Sequence, residues 1–344
     1  MVTRRGVGAA CVSTTLVACS LFVDLSGLSG ANPSDDGGID DSSVDGIASG
    51  DGSSDANVDP PSCAGGGGGT CAGGNCCEST IVPGSSFNRG NNPSAPAVLT
   101  DFRLDRFKVT VGRFRAFVAS GHAINSNAPA VGAGAYPPVA GSGWDASWNA
   151  FLPVDASALS VALKCDANGT WSDTPGANES RPMTCVNWYL AFAFCVWDGA
   201  RLPTEAEWDY AASGGSEQRY YPWSVPPSST TIDSTYANYG CNAPCPVTSI
   251  TPPGTFSPKG DGKWGQADLV GSVLEWQFDW GDPNPYPTPC NDCARIADLA
   301  DGGSRADRAA AFIYGANYQV VSRRNSDPPN STGQERGLRC ARNL

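Results

Sequence analysis

Three short stretches of this chain carry apolar residues at helical spacing, each behind a polar cap. Thr110 precedes Phe114 and Phe117, which share one face before Gly121 stops the helix. Asn187 precedes Trp188 to Asp198, where Trp188, Phe192, Cys195 and Val196 recur and Gly199 ends the turn. Thr204-Glu-Ala-Glu207 has the form of a capping box, and Trp208 then falls on the buried side. Pro83 to Phe87 and Phe102 to Phe107 read as strand pieces. Beyond Gly214 the chain is mostly Gly, Pro, Ser and Asn, with brief apolar runs at Ala267 to Val270 and Ala309 to Tyr314. The pattern predicts one domain over residues 80–344, built of short elements and long coil.

Apolar residues are sparse before that point, and the exception lies at the start. Arg4 and Arg5 precede an apolar run, Val7 to Ala18, that is too short to span a bilayer and ends at Leu16-Val17-Ala18-Cys19. This resembles a bacterial lipoprotein signal over residues 1–19, in which Cys19 becomes the acylated first residue. The expected location is therefore extracytoplasmic, anchored to a membrane by lipid. Residues 20–62 are Asp, Ser and Gly with too little apolar surface to offset ordering, which predicts a disordered acidic tether. The net charge of −12 leaves no basic face for a phosphate backbone, so nucleic acid is excluded as a partner.

Export exposes thiols to oxidising conditions. Of 14 cysteines, Cys11 falls in the signal and Cys19 would carry lipid, leaving an even twelve for disulfides. Cys63, Cys71, Cys76 and Cys77 crowd a glycine-rich segment, residues 63–79, that reads as a small disulfide knot with its pairing open. Local pairing is simplest for Cys165 with Cys185, Cys241 with Cys245, and Cys290 with Cys293. Cys290-Asn-Asp-Cys293 has the spacing of a redox dithiol. Pro287, Pro289 and the lack of an apolar helical run after Cys293 make it a loop staple instead.

Arg201-Leu-Pro-Thr-Glu-Ala-Glu-Trp-Asp-Tyr-Ala-Ala212, Gly271-Ser-Val-Leu-Glu-Trp276 and Arg336-Gly-Leu-Arg-Cys340 carry a resemblance to the formylglycine-generating enzyme, or sulfatase-modifying factor, family. The resemblance implies an irregular α+β fold of C-type-lectin-like kind, with low regular secondary structure, stapled by cysteines and metal. It implies a disulfide between Cys195 and Cys340. It also implies a structural calcium site with Asp268 and Glu275 as side-chain ligands and Gly271 and Val273 as carbonyl ligands; a mixed oxygen set of this kind suits Ca²⁺.

The family's oxidases convert a substrate cysteine to formylglycine with two thiols that bind Cu(I) near the C-terminus. The matching region here, Ala309 to Arg323, contains no cysteine, so no catalytic residue is assigned and copper is not expected. The single histidine, His122, cannot make a multi-histidine iron site. What remains is surface: Trp144, Trp148, Trp171, Tyr220, Tyr221 and Trp223 sit in loops where aromatics could line a groove for a peptide or glycan. The sequence therefore predicts an exported binding or interaction module on an enzyme scaffold. The alternative is a protein-modifying oxidase of the same family working through non-standard residues. Oligomeric state has no signature in the sequence.

Overall fold

The computed structural model describes residues 59–344 except 67, 282–285, 287 and 297–302. The lipid signal, Cys19 and the tether up to residue 58 lie outside the described residues. The described residues fall in one compact unit. Its helices are α1 (Val111–Ala119), α2 (Ala156–Leu163), α3 (Trp188–Trp197) and α4 (Glu205–Ser213). Among the described residues no helix is long and apolar enough to cross a membrane.

Each helix starts where a short polar side chain satisfies a free backbone N–H. Thr110 accepts from Arg113 N, Asp155 from Ala158 N and Asn187 from Leu190 N. At α4 the capping box is complete: Thr204 Oγ1 accepts from Glu207 N at 3.1 Å, and Thr204 N donates back to Glu207 Oε2 at 2.8 Å. Gly214, with φ 68°, ends that helix in the left-handed conformation.

The strands form small sheets around the helices. A four-stranded sheet runs in the order Arg336–Gly337, Leu274–Trp280, Arg305–Arg308, Asn325–Asp327, its first pair parallel and the others antiparallel. Its central strand pairs Glu275 with Arg308 and Trp276 with Asp307 before an irregularity shifts the register. An antiparallel three-stranded sheet places Phe102–Asp105 between Ala341–Asn343 and Ser79–Val82, so the C-terminus closes on the start of the domain.

The largest core cluster lies between α1, α3 and the Leu274–Trp280 strand. Phe114 stacks on Phe194 at 5.4 Å, Phe117 meets Phe194 edge-on at 5.6 Å, and Trp148 fills the edge of Trp188 at 5.0 Å. All faces of α3 are apolar and buried, as a central helix requires.

Three features differ from the sequence reading. The strand expected at Pro83 to Phe87 forms at Ser86–Asn88, paired with Pro96–Val98. The α2 helix, with Leu159 and Leu163 buried one turn apart, was not anticipated. The cysteine-rich segment is docked on the domain: Cys71 and Cys76 pack with Phe107 and Ala267, and Arg113 Nε donates to Ser62 Oγ at 3.0 Å. Its disulfides are Cys63–Cys77 and Cys71–Cys76.

Candidate functional site

The segment from Asp268 to Glu275 enters the strand through three left-handed residues, Asp268 (φ 54°), Gly271 (φ 79°) and Ser272 (φ 62°). A Cβ at Gly271 would meet the Asn238 carbonyl oxygen at 2.6 Å, so only glycine allows this approach. Asp268 and Glu275 are both buried, but each is already engaged. Asp268 Oδ2 accepts from Gly254 N at 2.6 Å. Glu275 Oε1 accepts from Lys108 Nζ at 2.5 Å and Arg339 Nη2 at 2.9 Å, and its Oε2 accepts from Trp208 Nε1 at 2.8 Å. The Val273 carbonyl accepts from the same Lys108 Nζ at 2.8 Å.

Burial opposes the charge on Glu275, but Arg339 and Lys108 outweigh it and hold the carboxyl below the usual range. Burial pulls Lys108 below the usual lysine range, with Glu275 acting against it. At Asp268 burial raises the carboxyl, the Gly254 N–H notwithstanding. A Ca²⁺ ion needs six to eight oxygens free to converge on it. Among the described residues no group of three or more His, Cys, Asp or Glu converges to hold a metal. With Lys108 on two of the four expected oxygens, the donor set does not fit calcium.

The stretch Ala309 to Arg323 starts as a buried run, Ala309 to Phe312, and then comes to the surface at Asn317 and Tyr318. Ala311 and Phe312 are buried with Cys245, Ile250, Val273 and Leu274, and Cys241 N donates to Phe312 O at 2.8 Å. The other expected cysteines are joined in the structure as Cys195–Cys340, Cys165–Cys185, Cys241–Cys245 and Cys290–Cys293. His122 is a surface residue whose Nδ1 lies 3.0 Å from Ser120 Oγ.

The loop aromatics are occupied. Trp144, Trp171 and Tyr221 are buried, Trp148 packs against Trp144 and Trp188, and Trp223 is stacked between Tyr221 at 5.1 Å and Tyr236 at 5.2 Å. Tyr220, half exposed, meets Tyr221 edge-on. They do not join into one groove: Arg115 covers the Trp171 face at 4.3 Å, and Trp148 alone of the six lines a small cavity of about 40 Å³ with Trp188, Phe192 and Arg305.

Instead a cavity of about 200 Å³ opens beside the N-terminus of α4, lined by Arg89, Glu205, Asp279, Tyr286, Cys293 and Arg324 among others. Arg324 Nε pairs with Glu205 Oε1 at 2.8 Å, and the Tyr286 ring takes guanidinium groups of Arg89 at 4.7 Å and Arg324 at 4.0 Å. Asp279 accepts from Glu205 N and Arg295 N, both at 2.7 Å. Burial, then the charge of Glu205, push its carboxyl up to about 7. Arg89 Nη1 reaches Cys293 Sγ at 3.5 Å. Sequence reading missed this site because its residues come from four distant segments. The one local hint is Glu205, an acid in the first turn of α4.

The profile of the sulfatase-modifying factor enzyme 1-like domain matches residues 69–344. The chain is similar to the formylglycine-generating enzyme of Streptomyces coelicolor, 31% identical over 278 residues, covering 73% of this chain and 81% of that protein. It is also similar to the formylglycine-generating enzyme of Thermomonospora curvata, 26% identical over 303 residues, covering 76% and 91% respectively. The inactive C-alpha-formylglycine-generating enzyme 2 of Bos taurus is 33% identical over 167 residues, 46% of this chain and 50% of that one. Among solved structures, PvdO from Pseudomonas aeruginosa shares the fold, with TM-score 0.53 and 19% identity over 77% of this chain and 94% of that one.

Proposed function

Because this chain belongs to the sulfatase-modifying factor enzyme 1-like family, we propose that it keeps the family scaffold without the thiol oxidase chemistry and serves as an exported binding module. The observation that carries this reading is sulfur placement. All twelve cysteines from Cys63 onward are joined in pairs, and the stretch from Ala309 to Arg323 contains no cysteine where a Cu(I) site needs thiolates. One relative of this chain is itself described as inactive.

In this reading the signal at residues 1–19 delivers the chain to the envelope, lipid on Cys19 anchors it, and the acidic tether holds the domain off the membrane. The ligand is a peptide or a glycan, taken in the cavity beside α4. Its lining carries both signs of charge, with Arg89 and Arg324 against Glu205 and Asp279, which suits a polar ligand with donors and acceptors.

A second reading keeps some chemistry, and one observation favours it: Cys293 lines that cavity under the Arg89 guanidinium. A cation beside sulfur favours the thiolate. A substrate thiol would attack Cys293 Sγ and release Cys290 as thiolate; a second substrate thiol would then break the mixed disulfide. The products are a substrate disulfide and two reduced cysteines, with the protons passing from substrate to Cys290 and Cys293. Formylglycine formation through non-standard residues would need more than this exchange supplies.

The test is a copper-supplemented assay on a cysteine-containing sulfatase-type peptide, run beside thiol labelling of the native protein. We expect no aldehyde product and no labelled cysteine. Aldehyde formation would overturn the binding-module reading, and reduction of Cys290–Cys293 by substrate thiols alone would move it to the second.

A further inference from the structure

We infer that the side-chain ammonium of Lys108 is a built-in cation that takes the place a calcium ion would hold between the Val273 carbonyl and Glu275, so that the domain folds without divalent metal. Lys108 follows Phe107 at the junction between the Phe102–Asp105 strand and α1, and its side chain is fully buried. A lysine is almost never fully buried unless it is paired, so the site must supply its counter-charge and acceptors. It does so with two of the oxygens expected to ligate calcium: Nζ lies 2.8 Å from Val273 O and 2.5 Å from Glu275 Oε1.

Charge balance supports the substitution. Lys108 and Arg339 bring two positive charges to the buried carboxylates of Glu275 and Asp268, so these four side chains balance without an added ion, while the neighbouring Asp261 is met by Arg106 at 3.9 Å. Arg339 is fixed by more than its ion pair, since it also donates to the carbonyls of Asp105 at 2.9 Å, Arg106 at 2.8 Å and Ala267 at 2.7 Å. A Ca²⁺ ion bonded to Val273 O and Glu275 Oε1, roughly 2.3–2.6 Å from each, would crowd the ammonium on the same two oxygens. It would also leave an excess of two positive charges in a dry interior, where opposing charge is expensive.

The consequence is a brace that cannot be lost. A bound ion stabilises a fold in proportion to its free concentration, whereas a tethered ammonium is present at every concentration. The same segment is held at its start by Asp268, which accepts from Gly254 N, and at its end by Glu275, whose carboxylate takes Lys108, Trp208 and Arg339 without metal.

The experiment compares wild type, Lys108→Ala and Lys108→Arg by thermal unfolding in calcium chloride and in EGTA, with elemental analysis of the purified proteins. Wild type is expected to carry no stoichiometric calcium and to melt at the same temperature in both buffers. Lys108→Ala in EGTA is expected to lose about a hundred- to several-thousand-fold in its folding equilibrium constant, as loss of one partner of a buried pair does. Millimolar calcium should raise the melting temperature of Lys108→Ala alone. Lys108→Arg keeps the charge and should fold without calcium, which separates loss of the cation from loss of the fold. One equivalent of calcium in wild type with a lower melting temperature in EGTA would overturn the inference, as would a Lys108→Ala protein as stable as wild type in EGTA.

Discussion

Arg113 Nη2 lies 2.6 Å from Asp198 Oδ2, which ties the first turn of α1 to the residue that caps the end of α3. Both side chains are fully buried. The same guanidinium pairs with Asp105 at 3.1 Å, while Asp198 Oδ1 accepts from Ser62 N at 2.9 Å and so holds the cysteine-rich segment. Helix, strand and N-terminal knot meet at one charge cluster. Arg342 also reaches both carboxylates, so replacing Arg113 with Met would leave Asp105 and Asp198 with one cation in place of two and should cost about 3 kcal/mol, the lower end for breaking a buried pair. Urea unfolding should show that loss, and limited proteolysis should cut near Cys63 faster than in wild type. A variant with wild-type stability and an uncut segment would show that the cluster does not anchor the knot.

The disulfides should differ in what they contribute. Cys195–Cys340 closes 145 residues and Cys290–Cys293 closes 3. Loop-closure entropy grows with the logarithm of loop length, giving about 5 kcal/mol for the long loop and roughly 2 kcal/mol for the short one. The pair Cys195→Ser/Cys340→Ser is therefore expected to lower the denaturation midpoint far more than Cys290→Ser/Cys293→Ser. Equal losses in chemical denaturation would contradict the entropic account.

Gly271 offers a sharper local test. Its φ of 79° and the Asn238 carbonyl 2.6 Å from an added Cβ make two independent demands for glycine. Gly271→Ala should cost on the order of 1–3 kcal/mol from strain, before any backbone shift at the Asp268–Glu275 segment. Alanine at the exposed Gly132, also at positive φ but with nothing within 4 Å, is the control and should cost less. Matching losses would mean that the contact with Asn238 relaxes freely.

Local signals in the sequence were readable wherever a backbone group needs a nearby partner. Thr110, Asn187 and Thr204 cap their helices within three residues, and the motifs around Arg201, Gly271 and Arg336 place the family. The Leu274–Trp280 strand was not readable as a strand, because every residue from Leu274 to Asp279 is buried and the period of two is lost. Lys108 escaped for a similar reason: a lysine between Phe107 and Val109 suggests an outward side chain, and its inward partners, Val273 O and Glu275, lie 165 and 167 residues away. The cavity beside α4 was hidden because Arg89, Asp279, Cys293 and Arg324 are brought together by sheet and loop closure alone.

Asp279 makes the stability of the domain depend on pH in a direction that can be worked out. Its folded-state value of about 7 lies above the ordinary 3.8, because burial and the charge of Glu205 disfavour the ionised form. Between about pH 4 and pH 7 the fold holds a proton that the unfolded chain has released, so this group lowers stability as pH rises and exacts a constant cost above that window. Three units correspond to roughly 4 kcal/mol. Asp279→Asn mimics the protonated acid at every pH, with one oxygen left to accept from Glu205 N or Arg295 N. The variant should match wild type most closely near pH 4 and gain on it steadily toward pH 7. Denaturant titrations of both proteins across that range decide the matter, since a stability difference that stays constant with pH would place the proton elsewhere.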